Sequence, residues 1–577
     1  MYLLDISTAV RGMDSITKYD LFRFTSCLQG LLNREEPTLF LLWEEHDRFW
    51  LDYITSAGKF LEHEPLIPLE SFEQLFLTFA GEIRSYGLIL WDEKVPAALN
   101  AATTACAVRG YLPMRAGENA AWIMSLTGAE VREDLRDRFT GHGTVWGTDE
   151  VSTGSAKCDA YVWALANFMN ECSDDLLEFS PDGMMWRNSE PFYPDMGNAF
   201  VPNMDYAVSR RAFVFDLFCF DDEAPCDDPA QPVGCDCAML KRILLRQYEK
   251  NGGRKITTVS GFNPWHIKYT THGGKGSHEP VEVEWHLSEV LSAYNCVKDA
   301  DAAGYCGLAN ASVYRHYPLK ERYRNRAPKP PADGYDRNKT YMLFYVGDYD
   351  SAAWTARFIP RWYRDPALGK LPLMWCFNPN LSDRIPMAFD FIYENYTDND
   401  WFEAGDSGAG YNVPRLLYEP RIYSDLPCGA PVNIAHNKKY FEKFDMSIIG
   451  FVINSHHPFD NRQMYDLAAF AKDGVAANNY GMPSVIVRGT PFTPQTCDIA
   501  AEHRDPKEAA RQAVDWMNGA HPDRRFHIFR TILVSPTNHA AIYDEIRRLA
   551  PERNIELLDP LTFFRYLKTA VENGETY

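Results

Sequence analysis

The sequence predicts an α/β protein in two parts, an N-terminal α/β domain followed by a β/α barrel. Three observations predict it. Apolar runs of strand length alternate with amphipathic stretches of helix length along the whole chain. The alternation becomes regular after about residue 238, as strand, then helix, repeatedly. Between the two regions lies CFDDEAPCDDPAQPVGCDC (219–237), rich in acid and proline and without period, which puts the boundary at 237/238. Seven or eight strand–helix units in the second part suit a closed barrel, with an open doubly wound sheet as the alternative.

In the first part (1–237) the strand candidates are TLFLLW (38–43), YGLILW (86–91), AYVWAL (160–165) and RAFVFDLFCF (211–220), with helical patterns such as HDRFWLDYITSAGKF between them. The first two are each followed by an acidic residue and a helix-like segment, the pattern of a diverged internal repeat. In the second part (238–577) the candidates are KITTVSGF, GYCGLAN, YMLFYVG, PLMWCF, MSIIGFVIN, SVIVRG, FHIFRTILVS and IELLDP. SAAWTARFIPRWYRD, RQMYDLAAFAKDG, PKEAARQAVDWMNG and HAAIYDEIRRLAPERN are the helices between them.

Bulk composition narrows the function. At 577 residues and 46% hydrophobic content, the chain is long enough for more than one core. A net charge of −21 without a Lys/Arg tract argues against nucleic acid as a partner. No run of about 18 apolar residues is present, so no membrane crossing is expected. The 13 cysteines are odd in number and irregularly spaced, and Cys219, Cys226, Cys235 and Cys237 fit no zinc pattern. MYLLDISTAV lacks the features of a signal peptide, so the sequence reads as cytoplasmic, or secreted if an export signal was removed. No G-x-G-x-x-G or P-loop follows a strand, and neither a cofactor nor a metal is expected. Aromatics reach 14%, with 14 Trp and 31 Tyr, which serves either large cores or the stacking of sugar rings.

Strand ends hold the chemistry-bearing residues. In YMLFYVGDYDSAAW (341–354) alternation puts Met342, Phe344, Val346, Asp348 and Asp350 on one side, with two carboxylates at the C-terminal end, the active end of a β/α barrel. Helix capping by Asp350 or Ser351 is the ordinary alternative, and it leaves Asp348 unexplained. Glu284 sits beside Trp285 at a helix start, where an indole would raise a carboxyl's pKa; solvated first-turn acids at 282, 284 and 289 are the alternative. Asn454 and His456 close another strand, and Asn378, Asn380 and Asp383 another, where turn chemistry also accounts for them. In GDSGAGYNVP (405–414) three glycines free the backbone, so that Asp406 and Tyr411 project from a defined loop; a tight connection is the alternative. Trp265, Trp285, Trp354 and Trp375 are sugar platforms or core.

GAGYNVP (408–414) resembles the signature of the GxGYxYP family, a group common in gut bacteria and assigned to glycoside hydrolysis. GDS, NPNLSDRIPMAFDF, the GDYD strand end and CLQGLLNREEP resemble it too. Val413 stands where the signature has its second Tyr. The resemblance implies an N-terminal domain of three diverged repeats, a seven-stranded β/α barrel, a site in the cleft between them, and a catalytic trio of one Glu and an Asp-x-Asp pair. The pair falls on Asp348 and Asp350; the Glu falls on Glu284, with Glu289 second. The implied reaction is hydrolysis of a poly- or oligosaccharide, read as inverting, with Asp406, Tyr411, Trp285, Trp265, Asn454, His456 and Asn380 meeting the sugar. The rivals are a non-catalytic carbohydrate-binding protein and a metal-dependent esterase or deacetylase. The latter usually brings two His about four residues apart, a pattern missing here; a nucleotide-sugar transferase would want a diphosphate-binding loop.

Overall fold

The computed structural model describes residues 1–181, 204–225, 227–261, 283–300, 307–455, 457–478, 482–501, 504–519 and 523–575, with the side chains of Val283, Glu284 and Trp285 outside that description. It is a mixed α/β fold of parallel sheets and many helices. The chain divides into two compact units, Met1–Pro318 and Leu319–Tyr577. The 237/238 boundary read from the sequence falls inside the first unit.

Among the described residues the first unit holds three small parallel sheets. The strands are β1 (Tyr2–Asp5), β2 (Leu39–Leu42) and β3 (Ile67–Leu69); β4 (Leu88–Trp91), β5 (Leu112–Arg115) and β6 (Val131–Asp134); and β7 (Leu176–Phe179), β8 (Phe213–Phe215), β9 (Thr257–Gly261) and β10 (Cys296–Asp299). The orders are β2-β1-β3, β5-β4-β6 and β8-β7-β9-β10, so in each sheet the first strand lies between the second and the third. The third sheet takes β7 and β8 from one side of residue 237 and β9 and β10 from the other. Strand pairing continues across the acidic, proline-rich connection, since β9, which follows it, pairs with β7, which precedes it.

AYVWAL is not a strand. It lies in the helix Ala156–Phe168, capped by Ser155, whose side chain accepts from Cys158 N, and it is buried on nearly every side. A short apolar run fits a buried helix and a buried strand equally well, and here burial all round made them indistinguishable.

The second unit is built on β11 (Thr340–Tyr349), β12 (Leu373–Phe377), β13 (Asp400–Asp406), β14 (Ile448–Val452), β15 (Gly474–Ala477), β16 (Val485–Val487), β17 (Thr490–Pro494), β18 (Cys497–Ala501), β19 (Phe526–Ile532) and β20 (Ile555–Leu557). The order is β16-β17-β15-β14-β13-β12-β11-β19-β18, with β20 on the start of β11. All pairs are parallel except β16–β17. The segment that carries β17 and β18 pairs first with β15, through Phe492–Pro494, and then with β19, through Cys497–Ala501. Thr496, between the two, donates its N–H to Ile528 O.

Tyr341, Leu343 and Tyr345 of β11 join Met374, Cys376, Ile448, Phe451, Ala476 and Ile528 in one buried cluster. Phe344 packs against His539 of the helix Pro536–Leu549. The inner face of β11 is therefore the odd-numbered one, opposite to the sequence reading of Met342, Phe344 and Val346.

Candidate functional site

The Asp-x-Asp pair reaches the inner side by a kink. Asp348 has φ +75°, and the pairing of β11 with β12 is irregular between Val346 and Tyr349. Tyr345 is in the inner cluster, yet Tyr349, four residues on, accepts a 2.9 Å hydrogen bond from Trp362 Nε1 of the helix Ala352–Tyr363. A bulge of this kind resets the alternation and re-aims the side chains after it. Past the kink, Asp348 turns toward β19, where its Oδ1 lies 3.7 Å from Arg530 Nη2. Asp350 is buried, and it does not cap the following helix: Ser351 does, accepting from Trp354 N at 3.1 Å.

Arg530 is the centre of charge here, and sequence reading passed over it. It stands opposite Tyr345 across the β11–β19 pair. Its Nη1 donates to Asp498 Oδ2 of β18 at 3.0 Å, and its guanidinium lies 4.8 Å from the centre of the Phe451 ring of β14. Burial works against the charge, but Asp498, Asp406, Tyr345 and Asp348 outweigh it and push the guanidinium's pKa up. A charge in the middle of FHIFRTILVS was the available signal, because a cation inside a buried strand needs a counter-charge.

Next to this group lie buried polar atoms without partners. Asn378 follows β12 and is fully buried, yet neither its Nδ2 nor its Oδ1 makes a hydrogen bond. The same holds for Asn380 Oδ1 and for the Tyr345 hydroxyl. Asn378 and Tyr345 share one neighbourhood: a Cβ on Gly405 would lie 2.8 Å from Asn378 Oδ1 and 3.4 Å from Tyr345 Oη. Burial, then the Asp406 carboxylate, push the Tyr345 phenol well above its ordinary value, so it is a neutral donor. Buried polar groups are nearly always bonded, and leaving one unbonded costs about 1–3 kcal/mol.

The glycine loop is a rigid support. Ser407 (φ +63°) donates its N–H to Phe451 O, and its Oγ donates to Asn412 O and accepts from Ile453 N. One face of the helix Ala430–Phe444 clamps the rest. Asn433 Oδ1 accepts from Asn412 Nδ2, His436 Nε2 donates to Ala409 O, and Asn437 Oδ1 accepts from Ala409 N. Burial lowers the pKa of His436 to about 4, so the ring is neutral near pH 7. A side chain at Gly408 (φ +110°) would run into Asn437 Oδ1. Asp406, buried at the end of β13, is thus held from behind.

Residues 338–568 match the GxGYxYP putative glycoside hydrolase C-terminal domain. The recognition made from GAGYNVP holds over that segment. The crystal structure of a putative hydrolase from Bacteroides thetaiotaomicron VPI-5482 superposes with a TM-score of 0.69 at 15% identity, covering 98% of this chain and 94% of that one. That likeness is one of fold. A putative polysaccharide deacetylase from Mycobacterium smegmatis superposes with a TM-score of 0.27 at 11% identity, over 44% of this chain and 96% of that one, too little to argue from. Among curated proteins no match is found.

The other sequence-selected residues separate by environment. Tyr411 packs its ring into the inner cluster with Val413 and Leu416. Asn454 is committed to its own turn: Nδ2 donates to His457 O and Pro458 O, and Oδ1 accepts from Gln463 Nε2. Trp375 is fully buried and bonded to Asp400 Oδ1 at 2.7 Å, a core residue rather than a platform. Trp354 is half-buried against Phe358. His456 and Trp265 lie outside the described residues. Glu284 and Trp285 open the helix Val283–Ser292 of the first unit, their side chains outside the description. Glu289 is buried on that helix, 3.4 Å from His286 Nδ1. Among the described residues no three His, Cys, Asp or Glu side chains gather as a metal site, and no helix is long and apolar enough to cross a membrane.

Proposed function

We propose that the protein is a glycoside hydrolase acting on a poly- or oligosaccharide by carboxylate acid/base catalysis. The second unit is read as a seven-stranded β/α barrel of β11–β15, the β17–β18 segment and β19. Pairing of that segment with β15 on one side and β19 on the other supports the closed ring. The observation that carries the functional reading is the gathering at neighbouring strand ends of Asp348, Asp350 and Asp406 with Asn378, Asn380 and Tyr345, the last three being buried side chains with unpaired polar atoms. Carboxylates and amides are the groups that read sugar hydroxyls and move protons at a glycosidic bond.

One aspartate of the pair takes a proton from water, and the second tunes it. The donor to the leaving oxygen is assigned from the sequence to Glu284, with Glu289 second. Asp406, held by the glycine loop, and Asn380 contact substrate hydroxyls. Acid–base separations of about 6.5–9.5 Å accompany inversion, and about 5 Å accompanies retention. A panel of plant, host and microbial glycans, with NMR on any product to fix anomeric stereochemistry, tests the reading. Glu284→Gln should abolish turnover while glycan binding persists. Binding without turnover by the unmodified protein would leave a carbohydrate-binding protein instead.

A further inference from the structure

We propose that Cys158 and Cys235 form a thiol–disulfide exchange site of the first unit, closing to an internal disulfide on reaction with a low-molecular-weight disulfide. The proposal is independent of the glycoside hydrolase reading.

The cysteine-bearing connection 219–237 fits no zinc pattern, and the fold gives one of its thiols a partner from elsewhere in the chain. Two helices of the first unit meet here. Cys158 is the third residue of the helix Ala156–Phe168, and Cys235 is the first of the helix Cys235–Asn251. Both are free thiols, and their side chains are hydrogen-bonded to each other. The pair is held from both sides. Ser155 Oγ accepts from Cys158 N at 3.0 Å and is itself bonded to Asp228 of the connection. A Cβ on Gly154 would come within 2.8 Å of Pro232 Cγ, so the loop before the first helix lies directly on the connection. Cys235 N donates to Pro232 O at 3.0 Å, and Cys235 Sγ lies 3.9 Å from Thr153 O. Lys157 Nζ joins the two helix starts, 2.6 Å from Asp236 Oδ2 and 3.1 Å from Asp227 Oδ2. The sulfurs therefore start from contact, on two helix ends that are tied together.

The two thiols differ in access and in charge. Cys158 is fully buried, with Asp236 Oδ1 3.6 Å from its Sγ. Its bond to Cys235, then burial, push its pKa well up. Cys235 is half-buried, and the bond it accepts from Cys158 lowers its pKa. A helix N-terminus favours a thiolate as well. Cys235 is therefore the attacking thiolate and Cys158 the resolving thiol. Cys27 and Cys106 are bonded to each other too, but both are fully buried and out of reach of an external disulfide.

In the first step Cys235 Sγ attacks one sulfur of the external disulfide. A mixed disulfide forms, and the released thiolate takes up the proton that Cys235 lost. Cys158 then gives its proton to solvent and attacks Cys235 Sγ, the bond to the small thiol breaks, and that second thiolate takes up a proton. The protein loses two electrons and two protons, and the external disulfide becomes two thiols.

The test treats the reduced full chain with oxidised glutathione, followed by acid quenching, blocking of the remaining thiols and mass mapping with fragmentation. The expected result is a Cys158–Cys235 link, loss of both thiols, no retained glutathione, and return of both thiols on adding dithiothreitol. Cys158→Ala should stop halfway, with glutathione held on Cys235. Cys235→Ala should slow the reaction of Cys158 by about tenfold or more, since the exposed attacking thiolate is gone. If Cys158→Ala does not fold, the map of the unmodified protein decides alone. Glutathione retained on Cys235 of the unmodified protein, a link from Cys235 to any other cysteine, Cys226 included, or no reaction in the time that oxidises free cysteine overturns the proposal.

Discussion

Glu403 and Asn378 are both fully buried polar residues of the second unit, on β13 and just after β12, yet their surroundings are opposite. The Glu403 carboxylate faces the start of β14 and is well supplied with donors. It accepts from Ser447 N and Ile448 N at 2.9 Å each and from Asn325 Nδ2 at 3.0 Å. Asn378, at the C-terminal strand ends, has neither donor nor acceptor satisfied, and Tyr345 and Asn380 beside it are short of partners too. A buried polar group that serves the fold brings its partners with it. One that is left short marks a place where the chain tolerates a cost of about 1–3 kcal/mol for something other than stability. The contrast separates a polar side chain bonded into the fold from polar side chains left short, although both kinds are buried on neighbouring strands.

The largest effect expected from breaking this contrast is at the strand ends. Asp348→Asn should lower kcat by roughly 10²–10⁴-fold, the usual worth of a general base, with little change in melting temperature; a comparable loss of stability would make Asp348 a structural residue like Glu403. Next comes Gly408→Ala, which combines a left-handed backbone with a clash against Asn437 and should cost roughly 2–4 kcal/mol in denaturant unfolding.

A smaller effect lies at Glu403. Burial raises the pKa of Glu403 to about 8 in spite of its donors, so the folded protein holds a proton that the unfolded chain has released. Its contribution to stability is full below the unfolded value near 4.5 and is lost as pH rises toward 8. Burial lowers His436 and His539 to about 4 and His527 to about 3, so their contribution is lost as pH falls below 6.5. Melting temperature should therefore peak between about pH 6 and 7, and Glu403→Gln should flatten the alkaline side; an unchanged alkaline slope would place that proton elsewhere. The smallest effect is Tyr345→Phe, which deletes a hydroxyl with no partner and should leave stability within about 1 kcal/mol or raise it. A larger loss would mean that the hydroxyl is bonded after all.

Legibility in the sequence follows the same division. β11, β12, β14 and β19 are plain because apolar runs of strand length need no partner to be recognised. β13 is not, because DWFEAGD carries three acids and a glycine, and only tertiary partners make them strand residues: Trp375 Nε1 and Thr397 for Asp400, and the β14 amides for Glu403. Strand alternation puts Asp348 and Asp350 on the side of Met342, Phe344 and Val346, and the structure reverses the sides, since a single left-handed residue, Asp348, undoes the alternation. Asn378 was seen and set aside as turn chemistry, which its Asn-Pro sequence fits; its lack of partners is a property of three dimensions alone. Arg530 and Asp498 were missed for the opposite reason, because each looks like an ordinary surface charge until the other is seen 3.0 Å away.

β11 has a consequence for how the molecule is made. Its neighbour β19 is distant in the chain: Thr531 Oγ1 donates to Tyr345 O across 186 residues. On the ribosome, therefore, one edge of this strand stays bare until nearly all of the polypeptide has emerged. Truncation before Phe526 would leave that edge permanently open, a template for aggregation.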